Sequence, residues 1–207
     1  MDFEPTFYLY DRQIGRVVDY MDGVIPHLLK AQTGVPVFVE SMTVIMVARF
    51  EHFATSLVAS AVRSRESVAR DHFRRHGNPD ESPVAQSCDL RELIRMARRR
   101  VSLKKGGRRF ESLFGVLFGF SPWPNDVTLT TIADLVLLRN IFVHEGDTVL
   151  DEHARQMHRQ AVFARRDRGG TAIYSVDYAA ALPFLRDAIV ALKAQSDHVK
   201  AELQSRA

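Results

Sequence analysis

Apolar residues recur at three- and four-residue steps over most of the chain, a pattern that predicts a protein built mainly from helices. From Leu9 to about Ala31, one helical face is marked by Ile14, Val17, Val18, Met21, Val24, Ile25, Leu28 and Leu29. Thr33-Gly34-Val35-Pro36 ends that helix and opens the next, since glycine suits a helix C-terminus and proline a first turn. The second stripe runs through Phe38, Met42, Ile45, Met46, Phe50, Phe53, Leu57, Val58 and Ala61. Beyond Arg63 the sequence turns polar, and the helix is expected to fray near His76-Gly77.

Residues 77–87 hold two prolines and a glycine with little apolar content, which predicts a surface loop. Helices are expected from about Asp89 to Leu103 and, after the Gly106-Gly107 break, from about Phe110 to Phe118. Ser121-Pro122-Trp123-Pro124-Asn125-Asp126 follows as an extended link anchored by its tryptophan. Thr128 or Thr130 is then expected to cap a helix over about Leu129 to Glu145. A short helix near Asp151 to Gln160 precedes a hairpin over 161–176, with Val162-Phe163 and Ile173-Tyr174 on either side of Asp167-Arg168-Gly169-Gly170. A last amphipathic helix spans about 177–205. The expected architecture is a mainly α, single-domain helical bundle over 1–207, with a small β-hairpin appendage near residues 162–174.

Length and composition agree with that picture. The chain has 207 residues, 46% hydrophobic and 26% charged, enough to bury one core. The longest apolar stretch, Val35 to Val62, is broken by Glu40, Arg49, Glu51 and His52, so no membrane span is expected. The opening MDFEPTFYLYDRQ has acids and a proline where a secretory signal needs a basic start and an apolar run, which points to the cytoplasm. Cys88 is the single cysteine; an intrachain disulfide and a cysteine-rich zinc site are therefore excluded.

The net charge of +3 hides an uneven distribution. Arg91, Arg95, Arg98, Arg99, Arg100, Lys104, Lys105, Arg108 and Arg109 fall in one short run against the single acid Glu92. Two readings stay open for this run: a solvated helix end with its loop, or a surface for anions or an RNA backbone. The RNA-binding candidates within it are Arg95, Arg98, Arg99, Lys104, Lys105, Arg108 and Arg109.

Chemistry concentrates in the segment from Ile132 to His144, which is apolar at nearly every angle around a helix and carries the three polar residues Arg139, Asn140 and His144 in its second half. An unpaired arginine in such surroundings costs several kcal/mol, so the three must meet a cleft, a partner chain or a charged mate. At about 100° per residue, Asn140 and His144 lie close to one face, while Arg139 points about 140° from His144. Convergence therefore needs a long reach by the arginine, a local end to the helix, or a symmetry-related copy. Glu40 and Glu51 on the second helix are candidate mates for Arg139. Spacing alone is weak: with 23 arginines and 8 histidines, chance supplies about one Arg-x4-His pair. Arg65 to His72 and Arg70 to His76 are looser versions in the polar tail, read as decoys. What sets Arg139 to His144 apart is the apolar frame, the adjacent asparagine, and Glu145-Gly146 directly afterwards.

The segment LVLLRNIFVHEG resembles the Arg-Asn-x3-His signature of the HEPN superfamily, in which an apolar helix leads into the motif and a glycine often follows. The N-terminal helix, the long second helix with an internal acid, and the position of the motif are similar to larger members of the RiboL-PSP-HEPN and MAE-type groups. The resemblance implies a metal-independent endoribonuclease that works as a homodimer, often in toxin, defence or stress systems, with Arg139, Asn140 and His144 in the catalytic positions. A partner protein or antitoxin is left unspecified. RNA cleavage by its own 2′-hydroxyl suits a histidine base and an arginine that steadies charge on phosphorus. The tyrosine that some members carry two residues after the histidine is Gly146 here, so modification by a partner nucleotidyltransferase is not expected. The rival reading is a HEPN-like RNA- or nucleotide-binding or dimerisation module without cleavage.

No cofactor or metal is expected. His72 and His76, or His153 and His158, have the spacing for a shared metal, but no glutamate follows His72 as a zinc hydrolase requires. Cys88 has no sequence neighbour that would activate a thiol.

Overall fold

The computed structural model describes residues 3–31, 33–77, 80–101, 108–144, 148–149, 151–168 and 171–206. Among them the chain forms α1 (Glu4–Ala31), α2 (Val35–Ser64), α3 (Glu66–His76), α4 (Glu81–Ser87), α5 (Leu90–Arg100), α6 (Arg108–Phe118), α7 (Asp126–His144), β1 (Thr148–Val149), α8 (Asp151–Gln156), β2 (Phe163–Arg168), β3 (Thr171–Val176) and α9 (Tyr178–Ser205), with one 3-10 turn over Gln160–Val162. The class is mainly α with a small antiparallel sheet, as the periodicity predicts.

Several boundaries differ from the sequence expectation for identifiable reasons. Helix α1 starts before Leu9 because Phe7 and Tyr10 continue its buried stripe, while Leu9 itself faces outward. The expected polar tail of the second helix is a separate helix, α3, and it buries Ala69, His72 and Phe73. Residues 81–87, expected within a surface loop, are helical. Pro83 is the third residue of α4, where a missing N–H breaks no helical bond. The far end of α4 is secured by Arg70, which donates to the carbonyls of Ala85 (2.7 Å) and Cys88 (2.9 Å) while Glu66 holds its guanidinium. A long-range cap of that kind has no local sequence signal.

Helix α5 begins where Asp89 accepts from the backbone N–H of Glu92 (2.8 Å), a local N-cap. It ends at Arg100 rather than Leu103; the expected Gly106-Gly107 break lies outside the described residues. Helix α7 is capped by Asn125, which accepts from the Thr128 N–H at 2.8 Å, not by Thr128 or Thr130. The hairpin forms as expected, with Phe163 opposite Val176 and Arg168 opposite Thr171, and Gly169-Gly170 fall outside the described residues. Strand β1 is an addition the sequence did not suggest. It pairs with the other edge of β3 (Thr148 opposite Ser175), giving the order β1-β3-β2.

The chain divides into two compact units. The first comprises residues 1–10, 50–124 and 195–207. Its core is rich in rings: Tyr10 stacks on Phe53 (4.1 Å between centroids), Phe50 and Phe110 flank Trp123 (6.2 and 5.7 Å), and Phe114 lies against Phe118 (4.2 Å). The expected anchoring of the 121–126 link by Trp123 is thus observed. Each such pair contributes about 0.5–1.5 kcal/mol beyond its buried area. Gly119 closes α6 in the left-handed region (φ 84°), and its N–H donates to Gly115 (2.7 Å).

The second unit comprises residues 11–49 and 125–194. It contains Ile14, Val17, Met21, Ile25, Phe38, Met42 and Met46 from the two N-terminal stripes, all buried. It also contains α7, the sheet, α8 and the first part of α9, which starts where Asp177 accepts from the N–H groups of Ala179 and Ala180. Helices α2 and α7 are long and apolar enough, by length and composition, to cross a membrane; 56% and 44% of those stretches are buried within the protein.

Burial pushes the His72 pKa down from 6.5 to about 4, with repulsion from His76 and Arg100 adding to it. An unfolded chain therefore binds a proton between those values that the folded chain refuses, so stability falls as the pH drops through that window. The expected loss from pH 7 to pH 4 is about 2 to 3 kcal/mol from this group. His72→Phe should flatten that share of the dependence, measured as urea midpoints at pH 7 and 4.5; equal slopes in the two proteins would refute the assignment.

Candidate active-site helix

Helix α7 buries Ile132, Leu135, Val136, Leu138 and Ile141, together with Thr128, Thr131 and Asp134. Its coverage is broad, as an almost uniformly apolar helix demands. Ala133, Leu137, Asn140 and His144 are partly open or exposed, and Val127 and Val143 at the two ends of the helix are exposed as well. Ala133, Leu137, Asn140 and His144 recur at spacings of four, three and four, and so share one face. Asn140 is half-buried and His144 exposed at the helix end. Arg139 is half-buried, with its Nε removed from solvent.

Because α7 stays helical through His144, the rod does not end locally to gather the three side chains. Arg139 and His144 are about 7.5 Å apart along the axis and about 140° apart around it. The structure places Asn140 and His144 together on the partly open face, while Arg139 leaves on another side. Glu145 and Gly146, part of the sequence signature, lie outside the described residues. Of the candidate mates for Arg139, Glu40 accepts a hydrogen bond from the Tyr178 hydroxyl (2.8 Å), and the Tyr178 ring stacks parallel to Phe142 at 6.2 Å. Glu51 belongs to the first unit.

The residue that sequence reasoning passed over on this helix is Asp134. It is 2% exposed, and its carboxylate accepts from the backbone N–H groups of His158 (3.1 Å) and Arg159 (3.0 Å) and lies 3.1 Å from His158 Nδ1. One buried acid thus fixes the turn between α8 and the sheet to the middle of the motif helix. Arg159 also pairs with Asp187 on α9. The available signal was an acid in an apolar helix, which must find donors or pay for desolvation.

The basic run divides by burial. Arg91, Arg95, Arg98 and Arg99 occupy the exposed face of α5, opposite buried Leu93, Ile94, Met96 and Ala97. Glu92 pairs with Arg95 (2.6 Å). Arg108 and Arg109 are exposed at the start of α6. Lys104 and Lys105 lie outside the described residues. Arg100 turns inward, 7% exposed, and pairs with Glu81.

The supposed decoys are structural. Arg65 donates to the Leu117 carbonyl (2.5 Å) at the end of α6, and Arg70 holds α4. Arg70 also places a guanidinium nitrogen 3.9 Å from Cys88 Sγ, a basic neighbour that the sequence did not reveal. Among the described residues no group of three His, Cys, Asp or Glu side chains is arranged to hold a metal ion.

The chain matches no family model, no curated protein and no solved structure.

Replacing Asp134 by Ala leaves the N–H groups of His158 and Arg159 without their acceptor in a largely buried place. The expected loss is about 2 to 4 kcal/mol, read from a denaturant curve. A variant as stable as the parent would remove Asp134 from the framework of this helix.

Proposed function

We propose that this protein is a soluble, cytoplasmic endoribonuclease of HEPN type that cleaves RNA through attack of the 2′-hydroxyl on the adjacent phosphodiester. The observation that carries the reading is the partly open Asn140–His144 face near the end of the largely apolar helix α7, with Arg139 five residues before the histidine. Asn140 and His144 stay open to a ligand or a second copy on a helix whose other residues are mostly apolar. The Arg-Asn-x3-His resemblance supplies the chemistry and the toxin, defence or stress setting.

In this reading His144 removes the 2′-proton, Arg139 steadies charge on the pentavalent phosphorus, and Asn140 orients ribose or imidazole. One histidine per chain provides a base but no acid for the leaving 5′-oxygen. A homodimer that joins two copies of the partly open α7 face supplies the second histidine. The exposed arginines of α5 serve as a surface for the RNA backbone in the first unit.

The test is incubation with mixed RNA in EDTA. The parent protein should cleave, and His144→Ala should lose about a hundredfold or more of that activity; Asn140→Ala should fall less. Binding without cleavage by either protein would replace this reading with the non-catalytic module. Sedimentation should show a dimer, and a strictly monomeric active enzyme would exclude the shared-histidine arrangement.

For the RNA surface, Arg98→Glu with Arg99→Glu should weaken binding and reduce the slope of log affinity against log salt by about 1.5, since each lost phosphate contact on a single strand removes about 0.7. An unchanged slope would place the RNA elsewhere.

A further inference from the structure

A cleft of about 370 Å³ opens within the first unit, lined by His72 and His76 of α3, Arg100 of α5, and Arg108, Arg109 and Ser112 of α6. Its size falls in the range of small-molecule sites, about 300–1,000 Å³. Its lining does not resemble an apolar pocket. Cations and hydrogen-bond donors dominate it, and the aromatic surface nearest to hand, Phe73, is covered by the Arg100 guanidinium at 5.4 Å from the ring centre.

We propose that this cleft binds a dianionic phosphate group, either free phosphate or the phosphomonoester of a small molecule. Charge balance is the first argument. Arg100, Arg108 and Arg109 bring three positive charges, and Glu81, paired with Arg100, returns one negative charge. Arg108 and Arg109 form no ion pair among the described residues. Among the described lining residues two positive charges are left over, and a phosphomonoester carries close to two negative charges at neutral pH, whereas a diester carries one. The spare charge therefore favours a terminal phosphate over the backbone of an RNA strand.

The second argument is the state of the buried walls. His72 is 4% exposed, and its Nδ1 has no hydrogen-bond partner; Arg100 is 7% exposed, and its Nε likewise has none. Buried polar atoms are nearly always satisfied, so two orphaned positions in one cationic cleft are unusual. With its pKa near 4, His72 is neutral at physiological pH and can donate from one ring nitrogen without adding to the local repulsion.

The whole site lies in α3, α5 and α6 and does not rest on the ribonuclease reading, whose residues are in α7. Its test is calorimetric titration of the full chain with inorganic phosphate, a nucleoside 5′-monophosphate, a sugar phosphate and dimethyl phosphate. The three dianionic probes should bind saturably, with dimethyl phosphate at least tenfold weaker. A mononucleotide or sugar phosphate that binds tighter than inorganic phosphate identifies a phosphorylated small molecule as the occupant; equal affinities identify the free ion and confirm the same phosphate chemistry. The exposed pair Arg108→Ser with Arg109→Ser should weaken binding about tenfold or more with unchanged melting. His72→Phe, checked for folding by its melting curve, should weaken it as well. The proposal is overturned if no probe binds, if binding survives both sets of changes, or if an RNA strand without a terminal phosphate binds at the same residues as tightly as the monoesters.

Discussion

Helix α7 sets the terms for the second unit, because a rod that is apolar nearly all the way round is stable in water only when almost every side of it is covered. Each leucine or isoleucine removed from water contributes about 1.5–3 kcal/mol, and α7 buries four of them, Ile132, Leu135, Leu138 and Ile141. That demand leaves little freedom for polar residues. Asp134 is admitted because two backbone N–H groups and an imidazole converge on it. Asn140 and His144 are admitted because they lie on the stripe that stays partly open. The position of the candidate chemistry thus follows from what the helix must bury.

Arginine has three distinct uses in this chain, and only coordinates separate them. Arg65, Arg70 and Arg206 donate to carbonyls at or near helix ends, those of Leu117, Ala85 with Cys88, and Gly119, where the last turn has no intrahelical donors to offer. Arg95, Arg98 and Arg99 stand on the solvent face of α5. Arg100, next in the sequence, is rotated by about 100° and therefore enters the interior. A basic run read as a string of letters treats all of these as equal; a helix sorts them by angle.

The same contrast explains which parts of the molecule were legible in the sequence. The long helices, the hairpin and the Asp89 and Asp177 helix starts rest on local rules, periodicity and capping, and they were readable. Helix α4 was not, because it depends on a guanidinium 15 and 18 residues away in the chain. Strand β1 was not, because two residues pairing with a distant edge leave no pattern. His72 looked like one of two histidines on a polar tail; its burial depends on the chain breaking at Arg65 so that α3 can turn its apolar side inward. At the motif itself, the sequence supplied the residues and their angular relation, and the structure added that the helix runs unbroken to His144. It also supplied Asp134, whose partners come from a turn 24 and 25 residues downstream.

An unbroken helix has a consequence for the proposed chemistry. Phosphodiester cleavage by an internal hydroxyl needs one group to take a proton and another to give one, placed on opposite sides of the phosphorus. Asn140 and His144 share a face about 40° wide, and a single imidazole there cannot stand on both sides at once. A histidine from a second copy, related by a two-fold axis passing near the partly open stripe of α7, meets that requirement without any distortion of the helix. It also gives Ala133 and Leu137, partly open on the same face, an apolar surface to pack against. Catalysis and dimerisation then depend on the same few side chains, so a change at Leu137 that separates the copies is expected to abolish cleavage while leaving His144 itself untouched.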